Sequence, residues 1–366
     1  MSTPAMTTDH PGGNGTLVRR DGTVWYLSQE LRDTMEDWFH WNIAVHGLLG
    51  THTFQFTWSE VVGPYGPAIS HDGIDWWFDE SIESDRRSFT YTFEDADPVY
   101  FAFAPQYHST HLDHLLTGPG VSDAVERTTI TTTTQGRDVP LLSIGPADGD
   151  VIVLTARHHA CETTASYLLD AIVRHALDDR LTDTHRVLVV PFVDVDGVQR
   201  GDQGKSRAPH DHNRDYLDAN EITDGIEPLY ASTAAIMELV RSLDRVVVGV
   251  DFHCPYKWDG RNDHLHFVKA APETPQLDQF ATILAATAAE AGDTCVQYNP
   301  DWDIGPTESW NKGFTPTCSW FLGNHASRFA ASFEYPYFGT PDNRITPERT
   351  DAFGGAFVTA LSAFLD

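Results

Sequence analysis

The stretch Thr155-Ala-Arg-His-His-Ala-Cys-Glu-Thr163 constrains this chain most. The apolar run Val151–Leu154 precedes it and reads as a buried strand, while Ser166–Arg174 follows with a helical apolar period. A polar turn between a buried strand and a helix belongs to an α/β sheet, whose ligand sites lie at the carboxyl ends of its strands. His159 and Glu162 sit on that turn. Imidazole nitrogen and carboxylate oxygen are both donors that zinc accepts. A lone His-x-x-Glu pair occurs at many helix starts, so its meaning rests on what the other strand ends carry.

Three more apolar runs end in chemistry-bearing residues. Arg186–Val193 leads into Asp194–Tyr216, a Gly-rich polar loop that places Asn213 beside Arg214. A guanidinium fork grips a carboxylate in two bonds, and a neighbouring amide adds a donor. Arg245–Asp251 leads to His253, which completes a His, Glu, His zinc set with the fourth position left for water. Asp251 is available to a ligand's other ring N–H. Arg328–Phe333 ends at Glu334, a suitable general base beside an activated water.

Read in order, residues 1–16 are polar and expected to be disordered. From Leu17 to about Gln106 the texture is β-rich, with strands expected at 38–45, 53–58, 74–78, 87–93 and 99–104. That pattern predicts a small antiparallel β-sandwich over 17–106. Six of the ten tryptophans fall there and are expected to pack its core rather than form a peptide-binding platform. Residues 107–366 then alternate strands and helices, the signature of a mixed, mostly parallel central sheet flanked by helices. The expected organisation is thus a disordered N-terminus, a sandwich, and an α/β domain that carries the four strand-end motifs.

The formal net charge is −29, and only four lysines occur in 366 residues. Such a field repels nucleic acids and anionic membranes. An acidic, lysine-poor surface also suits a protein working at high salt. The four cysteines form no C-x-x-C pair, so reduced thiols in a cytoplasmic protein are expected. No apolar signal core or membrane-length run is visible. Nothing in the pattern sets an oligomeric state.

Taken in order, the four motifs resemble those of the zinc carboxypeptidases, and within them the branch of the cytosolic carboxypeptidases. That family carries A-R-x-H-P-G-E-T after a strand. Here it reads Ala156-Arg-His-His-Ala-Cys-Glu-Thr163, with Ala160-Cys161 replacing Pro-Gly and the spacing kept. The family's N-P-D-G-V loop matches Asp194–Val198, and its D-x-N-R motif matches Asp211–Arg214. Its D-x-H motif ends on His253, and its late-strand Glu falls on Glu334. Tyr100–Tyr107 resembles the end of that branch's N-terminal β-sandwich.

The resemblance implies one Zn²⁺ per chain on His159, Glu162 and His253, with Glu334 as the catalytic base. It implies that Asn213 and Arg214 hold a substrate's terminal carboxylate, so a peptide or protein C-terminal tail is the expected partner. The family also places a cation near the oxyanion. Ungapped counting puts that slot on Gly204, leaving Arg207 and Lys205 as neighbouring candidates. Two other readings stand beside peptide hydrolysis. One is an amidase on N-acyl amino acids, of the succinylglutamate desuccinylase and aspartoacylase type. The other is an inactive peptide-binding module. His158, Cys161, Cys254, His210 and His212 are expected to pack or to order loops, and Tyr335 and Tyr337 either pack or touch substrate.

Overall fold

Alternating aromatic and polar residues build the first hundred residues into two stacked sheets. The computed structural model describes residues 5–217, 227–269, 274–312 and 315–366. The strands are β1 (Ala5–Thr7), β2 (Thr16–Asp21), β3 (Val24–Ser28), β4 (Asn42–His46), β5 (Gly50–Phe56), β6 (Ala68–Ser70), β7 (Trp77–Phe78), β8 (Ser88–Phe93) and β9 (Val99–Ala102). One sheet runs β1-β4-β9-β6-β7 and the other β2-β3-β5-β8. Phe101 of β9 lies 5.5 Å from Phe54 and 5.0 Å from Phe89 of the other sheet, ring centre to ring centre. This aromatic layer is the sandwich core, and Trp25 and Trp41 are buried in it.

Two expectations are corrected here. Residues 1–4 lie outside the described residues, but residues 5–16 are ordered, and β1 pairs antiparallel with β4. The segment has too few apolar residues to announce a strand, and an existing sheet edge recruits it. The sandwich is also not wholly antiparallel, since β3 runs parallel to β5.

After α1 (Ser109–Thr117) come β10 (Glu126–Thr132), β11 (Asp138–Ile144), β12 (Asp150–Ala156), α2 (Thr163–Asp178), α3 (Leu181–Thr184), β13 (His185–Val190), α4 (Val195–Arg200) and α5 (Ala231–Arg241). They are followed by β14 (Val246–His253), β15 (His266–Val268), α6 (Pro275–Glu290), α7 (Cys318–Gly323), β16 (Phe329–Glu334) and α8 (Pro347–Leu365). The large sheet runs β10-β11-β13-β12-β14-β16-β15. Its four inner strands are parallel, as long apolar runs require when both faces are covered. Both margins pair antiparallel, so the sheet is mixed around a parallel centre, as expected.

Strand parity assigns the two faces. Phe252 and Phe333 meet Phe357 of α8, at 5.7 and 6.1 Å between ring centres. A Cβ on Gly249 would lie 2.8 Å from Leu322 of α7, on the opposite face. Asp251 and His253 share the parity of Gly249, so they point to the α7 side. Behind the sheet α8 packs on α2 so closely that a Cβ on Gly354 would come within 2.4 Å of the Ala171 Cβ.

Phe101 meets four rings of the other small sheet, those of Phe54, Phe89, Tyr91 and Phe93. Phe101→Ala is expected to lower unfolding stability by about 3–5 kcal/mol, read as a shift in denaturant midpoint at fixed salt.

Candidate metal centre

The metal-type donors meet because two neighbouring parallel strands stop at one level. After β12 the chain turns at Arg157, whose φ is 62°, and reaches Glu162 immediately before α2. His253 closes β14, the strand beside β12. Glu162 accepts at both oxygens: its Oε1 lies 3.0 Å from His159 Nδ1 and its Oε2 lies 2.7 Å from His253 Nδ1. One ligand atom from each of the three residues falls within 4.8 Å of the others.

The far ring nitrogens face carboxylates too. His159 Nε2 is 3.5 Å from Asp211 Oδ1, and His253 Nε2 is 2.6 Å from Asp251 Oδ2. Carboxylates in that position fix ring orientation and leave the inward nitrogen free to ligate. Two imidazoles and a carboxylate, oriented in this way, fit a zinc ion. His158, Asp251 and His253 form a second cluster of the same tightness. There, however, His158 is fully buried, tied to Asp251 at 2.8 Å and to the Tyr216 hydroxyl at 2.6 Å, away from the cavity described next. His158 and His159 diverge on the turn, as expected.

Charge is balanced inside this cluster. Burial opposes ionisation of Glu162, but Lys205, His159 and His253 outweigh it and hold the carboxyl well below the usual range. Burial likewise disfavours a charged His253, yet Asp251 and Glu162 raise its pKa well above that of a free imidazole. Glu334 is the opposite case. Burial raises its pKa, with the Glu162 charge adding and the His253 and Lys205 charges opposing.

A cavity of about 400 Å³ opens over the cluster, and His159, His253, Glu334, Lys205, Asn213 and Arg214 all line it. Glu334 ends β16 directly opposite His253 in the strand pairing. Its Oε2 is buried with no hydrogen-bond partner among the described residues. Asn213 accepts the Cys318 backbone N–H at 2.9 Å and brings its Nδ2 to 3.0 Å from His253 Nε2. Arg214 donates to the Asn213 carbonyl at 2.9 Å from the cavity wall.

The two cation candidates separate clearly. Lys205 Nζ is in the cavity, 2.6 Å from Glu162 Oε1 and 4.9 Å from the centre of the Trp38 ring. Gly204 has φ 82°, and a Cβ there would sit 2.2 Å from the Ala160 nitrogen, so that slot cannot carry a side chain. Arg207 is the correction. Its guanidinium binds Asp33, Asp194 and Asp202 at 3.0, 2.7 and 3.1 Å and does not line the cavity. Three buried carboxylates hold it, so it orders the loop instead of facing a substrate.

Other residues settle into packing roles. The Tyr335 hydroxyl pairs with Thr350, and the Tyr337 hydroxyl donates to the Cys161 carbonyl, both in the interior. Cys161 is buried, which pushes its thiol up to about 12. His210 pairs with Asp215, and His212 stacks on Tyr230. Sequence reasoning missed Trp38, Tyr256 and Trp310, which line the cavity. Trp38 was grouped with the packing tryptophans, and nothing local in the sequence sets it apart.

Fold and donors together define a class: an α/β protein with a candidate mononuclear metal centre at the carboxyl ends of its parallel strands. Residues 120–254 match the zinc carboxypeptidase family. Cytosolic carboxypeptidase 2 of Xenopus tropicalis is 28% identical over 186 residues, which is 45% of this chain and 19% of that protein. Cytosolic carboxypeptidase 6 of Caenorhabditis elegans is 26% identical over 198 residues, 49% of this chain and 42% of that one. Over this stretch the chain is similar to the zinc carboxypeptidase family, and it matches less than half the length of these curated relatives. The fold likeness runs from end to end. A metallo-carboxypeptidase from Burkholderia cenocepacia superposes with a TM-score of 0.75 at 18% identity, covering 100% of this chain and 99% of the other. One from Pseudomonas aeruginosa, in complex with (2-guanidinoethylmercapto)succinic acid, gives 0.77 at 19% identity, covering 99% of each.

Arg207→Ala would remove the guanidinium that bridges Asp33, Asp194 and Asp202, leaving Asp202 its pairs with Arg32 and Arg200. Urea denaturation is expected to show a loss of about 3–5 kcal/mol, the scale for breaking a buried ion pair.

Proposed function

We propose that this chain is a zinc-dependent carboxypeptidase that hydrolyses the C-terminal peptide or isopeptide bond of peptides or protein tails. One observation carries the reading: a single cavity lies over a His, Glu, His donor set, with His159 and His253 in its wall, and is also lined by a carboxylate with a free buried oxygen and by the cations Lys205 and Arg214. His159, Glu162 and His253 would hold one zinc ion per chain. When bound, zinc supplies Lewis acidity, lowering the pKa of a water towards roughly 7 and polarising the scissile carbonyl.

The protein's own residues do the rest. Glu334 takes the proton of the attacking water on its unpartnered oxygen and returns it to the leaving amine. A carboxyl raised by burial holds that proton more readily than an exposed one. Lys205 stands inside the cavity as the cation for the forming oxyanion. Arg214 on the wall receives the substrate's terminal carboxylate, with Asn213 beside it. Selection of that carboxylate places the cut one residue from the end. Trp38, Tyr256 and Trp310 form an aromatic boundary around the entering chain. Four buried cysteines and the cytosolic relatives support a cytoplasmic setting. The composition supports assays at high salt.

Purified protein should hold one zinc per chain by elemental analysis and trim peptides from the C-terminus. Glu334→Gln should keep the zinc and lose activity by about 10²–10⁴-fold. Activity confined to N-acyl amino acids would favour the amidase, and absence of stoichiometric metal would end both enzyme readings.

The pH profile carries a sign. Glu334 acts as a base only when ionised, so kcat/KM should fall as pH drops through a pKa above the ordinary Glu range. Steady-state kinetics across pH would reveal that acid limb.

Arg214→Ala should raise KM for free-acid peptides about thirtyfold, the equivalent of roughly 2 kcal/mol for a charge-assisted bond. It should leave C-terminally amidated peptides little changed. Equal losses on both substrates would place the carboxylate elsewhere.

A further inference from the structure

Arg157 is a buried cation that the reaction above does not use. It is 2% exposed, and no carboxylate of the described residues lies within ion-pair distance of it. All its side-chain bonds go to neutral oxygens. Nε and Nη2 reach the Ala160 carbonyl at 3.2 and 2.5 Å. Nη1 reaches the Tyr107 carbonyl at 2.8 Å and the Ser166 hydroxyl at 3.1 Å. Those acceptors belong to three different parts of the molecule. Ala160 lies between the two residues that would ligate metal, Ser166 is in the first turn of α2, and Tyr107 is on the segment leaving the small sheets.

The backbone is informative as well. Arg157 has φ 62°, a conformation that glycine adopts freely and long side chains avoid. Its carbonyl accepts the Asp194 N–H at 2.9 Å, which joins the turn to the next loop. Turn geometry alone would be met more easily by glycine. The fork of the guanidinium is what reaches three acceptors at once, which a single ammonium cannot do.

The geometry points to Arg157 as a positioning residue that holds the 158–162 turn in its ligating shape before metal arrives, by clamping Ala160 to α2 and to the Tyr107 segment. The inference rests on His159, Glu162 and His253 being the zinc ligands. It touches neither metal nor substrate and acts only through the turn.

The test compares zinc release to a chromogenic chelator from the wild-type protein and from Arg157→Gly, Arg157→Lys and Ser166→Ala, with the d–d absorption of each cobalt-substituted form. Circular dichroism and denaturant midpoints establish which variants are folded. Folded Arg157→Gly is expected to release zinc about tenfold to a hundredfold faster, the usual effect of losing an outer support. Its cobalt spectrum should shift, although glycine suits the backbone better. Arg157→Lys should show the same defect, because it keeps the charge but not the fork. Ser166→Ala should show a smaller acceleration in the same direction, and it decides the matter if the Arg157 variants do not fold. Wild-type release rates and spectra in folded variants would overturn the clamp, even if their stability had fallen. A wild-type protein without stoichiometric zinc would instead overturn the metal-centre reading on which the clamp rests.

Discussion

A carboxylate with no exposed surface organises this molecule. Glu162 is completely buried, and a buried anion is tolerated only when cations and hydrogen-bond donors surround it. Two imidazole nitrogens and the Lys205 ammonium do so, all within 3.0 Å of its oxygens. They come from three separate places: the turn after β12, the end of β14, and the loop after α4. Only a sheet whose inner strands run the same way brings such ends to one level. The parallel core of the large sheet is thus the condition under which Glu162 can be buried at all.

The small sheets take part in this arrangement. Asp33 accepts the Gln203 and Gly204 backbone N–H groups at 3.0 and 2.8 Å. The Gln203 side chain bonds both the N–H and the carbonyl of His40. Those bonds set the path of the loop just before it delivers Lys205. Trp38 then supplies one wall of the cavity and lies under the lysine. The N-terminal β-rich region therefore shapes the cavity itself, and its aromatic core holds that wall in place.

Much of this was legible in the sequence, for a physical reason. Buried parallel strands are apolar runs, and their carboxyl ends are where polar residues become tolerable, so His159, Glu162, His253 and Glu334 stood out at once. The flanking β11 was missed because it pairs antiparallel at the margin and its apolar run is short. The choice between Lys205 and Arg207 was not readable locally. It depends on Gly204 passing against the Ala160 backbone and on Asp33, 170 residues before Gln203 in the chain. Trp38 was hidden for the same reason: sequence distinguishes an aromatic residue from a polar one, not a core wall from a cavity wall. The order of residues 5–7 likewise comes from a partner strand and not from their own composition.

His253 and Glu334 face each other across the paired ends of β14 and β16. Adjacent strands keep a spacing of about 4.8 Å whatever their side chains, and a slip of one residue would turn Glu334 to the other face of the sheet. The separation of Glu334 from His253 is therefore a main-chain quantity. Most of the remaining cavity wall, including Tyr256, Trp310 and Thr315, comes from segments outside those two strands. The fold divides labour between a ladder that fixes the spacing of His253 and Glu334 and loops that are free to diverge. A lineage could reshape the cavity by rewriting its walls alone, with His253 and Glu334 never leaving their places.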